Sequence, residues 1–380
     1  MSWPRVIGQE RVKRFLLQSI AGGRMPHAYL FHGPEGTGKD AMAIELARVL
    51  HCEQGGEEAC DRCGSCVRFR TLQHPDVHFV TALPRGKGED EECEPLEKLD
   101  ASVVRAIQEE IAEKAKNPYR VLDIPRANVI KINSIREIRR LAPMAAAHRG
   151  GKTFIISRAD MMGDEAANAL LKTLEEPPRE TLLILTTARP DDLPRTAVSR
   201  CQAVRFDPLG EEEILAALRA RTPEEGEATD EESVVLAARL ANGSYTRAQE
   251  LLQEDIRGIR AQAVEFLRRS VVGEAAAVWR IVEDLAAGRD RPRVARFLTF
   301  LLVWLRDALV LRYGGTVMNV DDRAALERFR DNLPRADLPR AIAAAESALS
   351  LVDRNVYIPL VLLQLAIRLR RALLDDRTGS

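Results

Sequence analysis

The segment Gly33-Pro34-Glu35-Gly36-Thr37-Gly38-Lys39-Asp40 most constrains the fold. It follows a short apolar run at residues 27–32 and opens a helical pattern over 38–50. Strand, glycine-rich turn and helix start in that order make a phosphate loop. Glycines let backbone amides turn inward towards phosphate, the helix start adds the positive end of its dipole, and a lysine reaches the outer phosphates. Gly33, Gly36, Gly38 and Lys39 fit this scheme. The last position does not. A hydroxyl that would hold magnesium is replaced by Asp40, a carboxylate of the same sign as phosphate.

A second departure lies further on. The apolar strand of a phosphate-loop ATPase ends in two acids, one for magnesium and one to orient the attacking water. Here Thr153-Phe154-Ile155-Ile156 is followed by Ser157 and Arg158. Serine is a poor metal anchor, and arginine cannot act as a base at accessible pH. ATP and magnesium are therefore expected to be vestigial, with no autonomous ATPase activity.

Further strands are expected at 77–80, 153–157, 181–187 and 203–206, with helical patterns between them, such as 164–174. This rhythm predicts an α/β fold over residues 1–206, with a parallel sheet covered by helices. Residues 84–128 interrupt it as an insertion. It opens on a charged, glycine-rich stretch at 84–92, expected to be exposed, and continues as a polar helix over 97–115. After 206 the strands stop. A small helical unit is expected at 207–254, an all-helical domain at 255–375 and a tail at 376–380. The helical segments of the last domain fall at 259–270, 274–287, 291–313, 336–352 and 355–374.

Cys52, Cys60, Cys63 and Cys66 have the spacing C-x7-C-x2-C-x2-C. Four thiolates suit one closed, tetrahedral structural zinc site, with Arg62 and Arg68 near enough in sequence to offset its negative charge. Free buried thiols and a redox switch are the other readings. His51 and His74 are alternative ligands, expected instead to be polar surface residues. The chain holds 56 Lys and Arg against 57 Asp and Glu, so any nucleic-acid contact must come from a local patch. No N-terminal apolar run and no membrane-length apolar stretch is present, which predicts a cytoplasmic protein with no membrane partner.

The runs Arg24-Met25-Pro26-His27-Ala28-Tyr29-Leu30-Phe31, Asn168-Ala169-Leu170-Leu171-Lys172-Thr173-Leu174-Glu175-Glu176-Pro177-Pro178 and Ser199-Arg200-Cys201 join the phosphate loop in one pattern. Together they resemble bacterial clamp loaders, the AAA+ proteins that open the sliding clamp for DNA polymerase III, over residues 1–206. Residues 207–375 are more weakly similar to the lid and collar of the same family, notably at Asn355-Val356-Tyr357-Ile358-Pro359-Leu360-Val361-Leu362. The degenerate loop beside an intact Ser-Arg-Cys motif fits its delta-prime type of subunit. The insertion is no general feature of the family.

The resemblance implies several roles. Arg200 would project as an arginine finger towards a neighbouring subunit's ATP. Arg247 and Thr187 are placed like the family's nucleotide sensors. Implied partners are the gamma or tau motor subunits, the delta subunit and the sliding clamp, with primed DNA reached through the complex and membership in the polymerase III holoenzyme. Cys201 reads as a small buried residue. Two other readings remain: an active, gamma/tau-like ATPase with Asp40 as an unusual magnesium ligand, and a zinc-bearing DNA-binding protein.

Overall fold

The computed structural model describes residues 3–90, 93–220, 231–252, 256–288, 290–315, 317, 323–354 and 356–374. The chain divides into two compact units. The first comprises residues 1–228 and 240–250, and the second residues 229–239 and 251–380. The expected tail at 376–380 lies outside the described residues.

The first unit opens with α1 (Glu10–Ala21), β1 (Ala28–His32), α2 (Lys39–His51) and the short α3 (Gly64–Arg68). Then come β2 (Val77–Val80), α4 (Ala101–Lys116), α5 (Ile132–Leu141), β3 (Lys152–Ile156) and α6 (Asp164–Glu175). β4 (Thr181–Thr187), α7 (Arg195–Val198), β5 (Gln202–Arg205) and α8 (Glu211–Ala220) follow. All strand pairs are parallel, in the order β2-β3-β4-β1-β5. This is the parallel α/β architecture expected from the sequence. The central strands are apolar because both faces are covered: all seven residues of β4 and all five of β3 are buried. Phe154, Ile156, Leu183 and Leu185 pack there with Ile135 and Leu170 from the covering helices.

Register positions the site. Ile156 pairs with Leu185, and His32 pairs with Thr187. The carboxyl ends of β1, β3 and β4 therefore converge where the phosphate loop leaves β1. Ligands of open α/β sheets bind at such strand ends.

The insertion has a small core, built from Ile107 and Ile124 with Leu83 just before it. Its charged opening is not wholly free. Glu89 forms a nearly buried ion pair with Lys131 at 2.6 Å and accepts from the Asn133 amide at 2.7 Å. Burying that charge requires its partner, which explains how a polar stretch is held down. The helix of the insertion starts at Ala101, not near 97, because turns at Glu94–Glu97 and Leu96–Leu99 precede it.

The second unit contains α9 (Glu231–Leu240) and receives the end of α10 (Tyr245–Leu252). It continues through α11 (Ile256–Val272), α12 (Ala275–Ala287), α13 (Arg291–Arg312), α14 (Arg323–Asn332), α15 (Leu338–Asp353) and α16 (Ile358–Leu374). No strand occurs in it among the described residues. α13 is its central helix, packed on α11 and α15. Side chains of Asp290 and Asp337 accept from the Arg293 and Arg340 amides and start α13 and α15. No helix of the described residues is long and apolar enough to cross a membrane.

Candidate functional site

The loop between β1 and α2 keeps its phosphate-loop backbone. Gly36 and Gly38 adopt positive φ, 72° and 93°, which a side chain would strain. Space forbids side chains too. A Cβ on Gly36 would lie 1.9 Å from the Ser244 hydroxyl, and one on Gly38 would lie 2.7 Å from the Tyr119 hydroxyl. The loop is thus covered on its open side. The Lys39 ammonium donates to the carbonyls of Gly33 and Pro34 at 2.7 and 2.6 Å. Burial lowers its pKa to about 8. It serves its own loop.

Asp40 meets a cation, as a magnesium ligand would, but an organic one. Lys114 of α4 places its ammonium 2.7 Å from Oδ2. The Ser157 hydroxyl donates to Oδ2 at 2.8 Å, and the Thr186 hydroxyl donates to Oδ1 at 2.7 Å. Burial raises the Asp40 pKa, but Lys114 and the two hydroxyls outweigh it and hold the carboxyl below its ordinary range. The Lys114 side chain is 5% exposed and that of Asp40 17%. Asp40→Ala is expected to cost about 3–5 kcal/mol in a denaturant titration, because it strands a buried ammonium. Adding Lys114→Met should recover most of that loss; no loss in the single variant would disprove the pairing.

Ser157 is buried at the end of β3, and Arg158 is exposed with φ 54°. The Arg158 amide donates to Thr186 Oγ1 at 3.2 Å. Neither residue offers a carboxylate to a metal. The nearest acid along this stretch is Asp160, which accepts from Thr187 Oγ1 at 2.7 Å and pairs with Arg189. Thr187 lines the cavity beside the loop, and its carbonyl accepts from the Gly33 amide at 3.3 Å. Arg247 is exposed at the start of α10, while its neighbour Thr246 lines the cavity beside the loop.

The four cysteines come together with their Sγ atoms within 4.8 Å of one another. A tetrahedral zinc bound at about 2.3 Å would hold sulfurs roughly 3.8 Å apart. Amides of Cys60, Cys63 and Cys66 each donate to the sulfur of the preceding cysteine at 3.4 Å. The backbone amides of Arg62 and then Cys63, aimed at the Cys60 sulfur, lower its pKa to about 6. The donor set fits a closed structural metal site.

Arg62 and Arg68 do not turn to the sulfurs. Their side chains reach Gln54 and His148. The sequence expectation for His51 and His74 is wrong: both are buried, 0% and 3% exposed. His51 bonds Thr153 Oγ1 and His74 bonds Ser65 Oγ, each at 3.0 Å. These contacts tie the end of α2 to β3 and the cysteine module to the turn before β2.

Arg200 follows α7 and does not line the cavity at its own loop. Its guanidinium pairs with Glu175 at 2.8 Å and donates to the Thr196 carbonyl at 2.9 Å. Its side chain is 36% exposed. Cys201 is partly buried, and burial raises its thiol pKa to about 12, so no thiolate nucleophile stands there.

The family model described as DNA polymerase III, delta subunit, matches residues 8–210. The chain belongs to that family. The DNA polymerase III subunit delta' of Bacillus subtilis (strain 168) is 34% identical over 201 residues, 53% of this chain and 48% of that protein. Subunit delta' of Escherichia coli (strain K12) is 29% identical over 309 residues, 80% of this chain and 77% of that protein. Subunit gamma/tau of Mycobacterium bovis is 28% identical over 394 residues, 96% of this chain and 60% of that protein. The chain thus spans about half the length of the Bacillus relative. In this delta-subunit family member, sequence reasoning missed Lys114, Tyr119, Thr186 and Asp160. Lys114 reads as one more solvated lysine on a polar helix, and nothing local marks it.

Proposed function

We propose that the chain is a non-hydrolysing, delta-prime-like subunit of the DNA polymerase III clamp loader. It assembles with gamma or tau motor subunits and a delta subunit, and the complex places the sliding clamp on primed DNA. Arg200 acts in trans on a neighbour's ATP. The carrying observation is the cation at Asp40: an ammonium stands where a magnesium ion would have to bind. Ser157 and Arg158 leave no carboxylate to compensate. Hydrolysis here would lack both the metal and a group to orient water.

The same reading assigns one structural zinc to Cys52, Cys60, Cys63 and Cys66. All four ligands would be protein groups, which leaves no position for a reacting water.

The test is reconstitution with candidate motor subunits. The chain alone should show no magnesium-dependent ATP turnover. Adding it should complete a complex with DNA-stimulated turnover, and Lys39→Ala in this chain should leave that turnover in place. Robust turnover by the chain alone, abolished by Lys39→Ala, would overturn the proposal.

A further inference from the structure

The insertion has no assigned role, yet two of its side chains, Lys114 and Tyr119, reach the phosphate loop. Lys114 holds Asp40 at 2.7 Å and donates to the Arg120 carbonyl at 2.7 Å, which fixes the turn after α4. Tyr119, at the end of that turn, presses its hydroxyl on Gly38 and accepts from the Ile7 amide at 2.8 Å. Its carbonyl accepts from the Thr246 hydroxyl at 2.7 Å, and its ring meets Tyr245 edge-on at 4.9 Å. Asn117 donates to Gln249 at 3.0 Å. One short segment therefore joins the start of α2, the segment before α1 and α10.

What remains beside the loop is a cavity of about 140 Å³. Ligand pockets run to roughly 300–1,000 Å³. Val121, Leu122 and Ile124 of the insertion form part of its wall. Nucleotide phosphates would have to displace Tyr119 from Gly38, and magnesium would have to displace Lys114 from Asp40.

We propose that residues 114–124 are an internal occupant of the nucleotide site, with the Lys114 ammonium in the place of the divalent cation and Tyr119 over the phosphate-binding turn. The segment holds α10 against the loop without any ligand. Removing it uncovers a site for a nucleoside triphosphate with magnesium. The inference rests on the reading of this loop as a degenerate nucleotide site and is independent of Arg200.

The experiment uses the isolated full chain, so failure of the trans-acting role leaves it unaffected. A fluorescent ATP analogue is titrated with magnesium. The wild type should show no saturable binding, and a folded Lys114→Ala/Tyr119→Ala variant should bind at least about tenfold more tightly. Hydrogen exchange is measured in parallel on the milder Lys114→Met variant, which keeps the buried stem. MgATP should slow exchange of the amides from Gly36 to Ala41 in Lys114→Met and leave the wild type unchanged. Equal analogue binding by wild type and the folded double variant would overturn the proposal. So would an unprotected loop in Lys114→Met, whatever the fate of the double variant.

Discussion

Arg200→Ala is expected to fold and assemble normally and to lower ATP turnover at the neighbouring motor site by about 10³-fold or more, the range of an arginine finger. An arginine placed on a transferring phosphoryl group neutralises charge that develops only in the transition state, so its loss acts on rate and not on assembly. The side chain can be spared structurally. It is partly exposed and held by Glu175 and the Thr196 carbonyl. Exposed ion pairs of this kind contribute about 0–1 kcal/mol to stability. Glu175→Gln provides the control: it frees the guanidinium but keeps its charge, and should change turnover by no more than about fivefold. The measurement is DNA-stimulated hydrolysis by the reconstituted complex, with the thermal midpoint of the variant chain measured beside it. Unchanged turnover with Arg200→Ala would remove the finger assignment.

The second large effect concerns the cysteines. Protein purified reduced and without chelator should carry one zinc per chain, and stripping it should melt the module around Cys52–Cys66. Zinc binding by such thiolate sets contributes about 10–16 kcal/mol in small zinc-finger peptides. α3 has five residues, and Asp61 takes a positive φ of 59°. Hydrogen exchange of residues 52–72 should rise on chelation, while β4 and β1, buried in the sheet, stay protected. Cys66→Ser should reproduce the loss. Metal analysis that finds no zinc would sink the assignment. The damage should spread as far as the Ser65–His74 contact, which anchors the module to the edge strand β2 through Asp76.

The sheet was legible because its strands are local patterns. β4 is a run of four apolar residues, Leu182 to Leu185, flanked by strand-favouring threonines, so its bounds 181–187 follow from the local pattern alone. α14 was not legible for the opposite reason. Half of Arg323–Asn332 is charged, and Leu326 is its one fully buried side chain. His51 and His74 were misjudged because burial of a polar ring depends on partners, Thr153 and Ser65, that are remote in sequence or set by a turn.

The chain's sequence by itself determined a phosphate loop on a parallel α/β sheet, the missing acids at Ser157 and Arg158, and four cysteines at metal-binding spacing. Those features are carried by dihedral preference, hydrophobic period and side-chain chemistry within short stretches. Only the tertiary structure decided what stands at Asp40. From sequence alone the carboxylate faced an absent phosphate; in the fold it faces Lys114, with Ser157 and Thr186 brought alongside by the register of β3 and β4. A buried charge must find a counter-charge wherever the chain can bring one, and packing of the insertion supplied it.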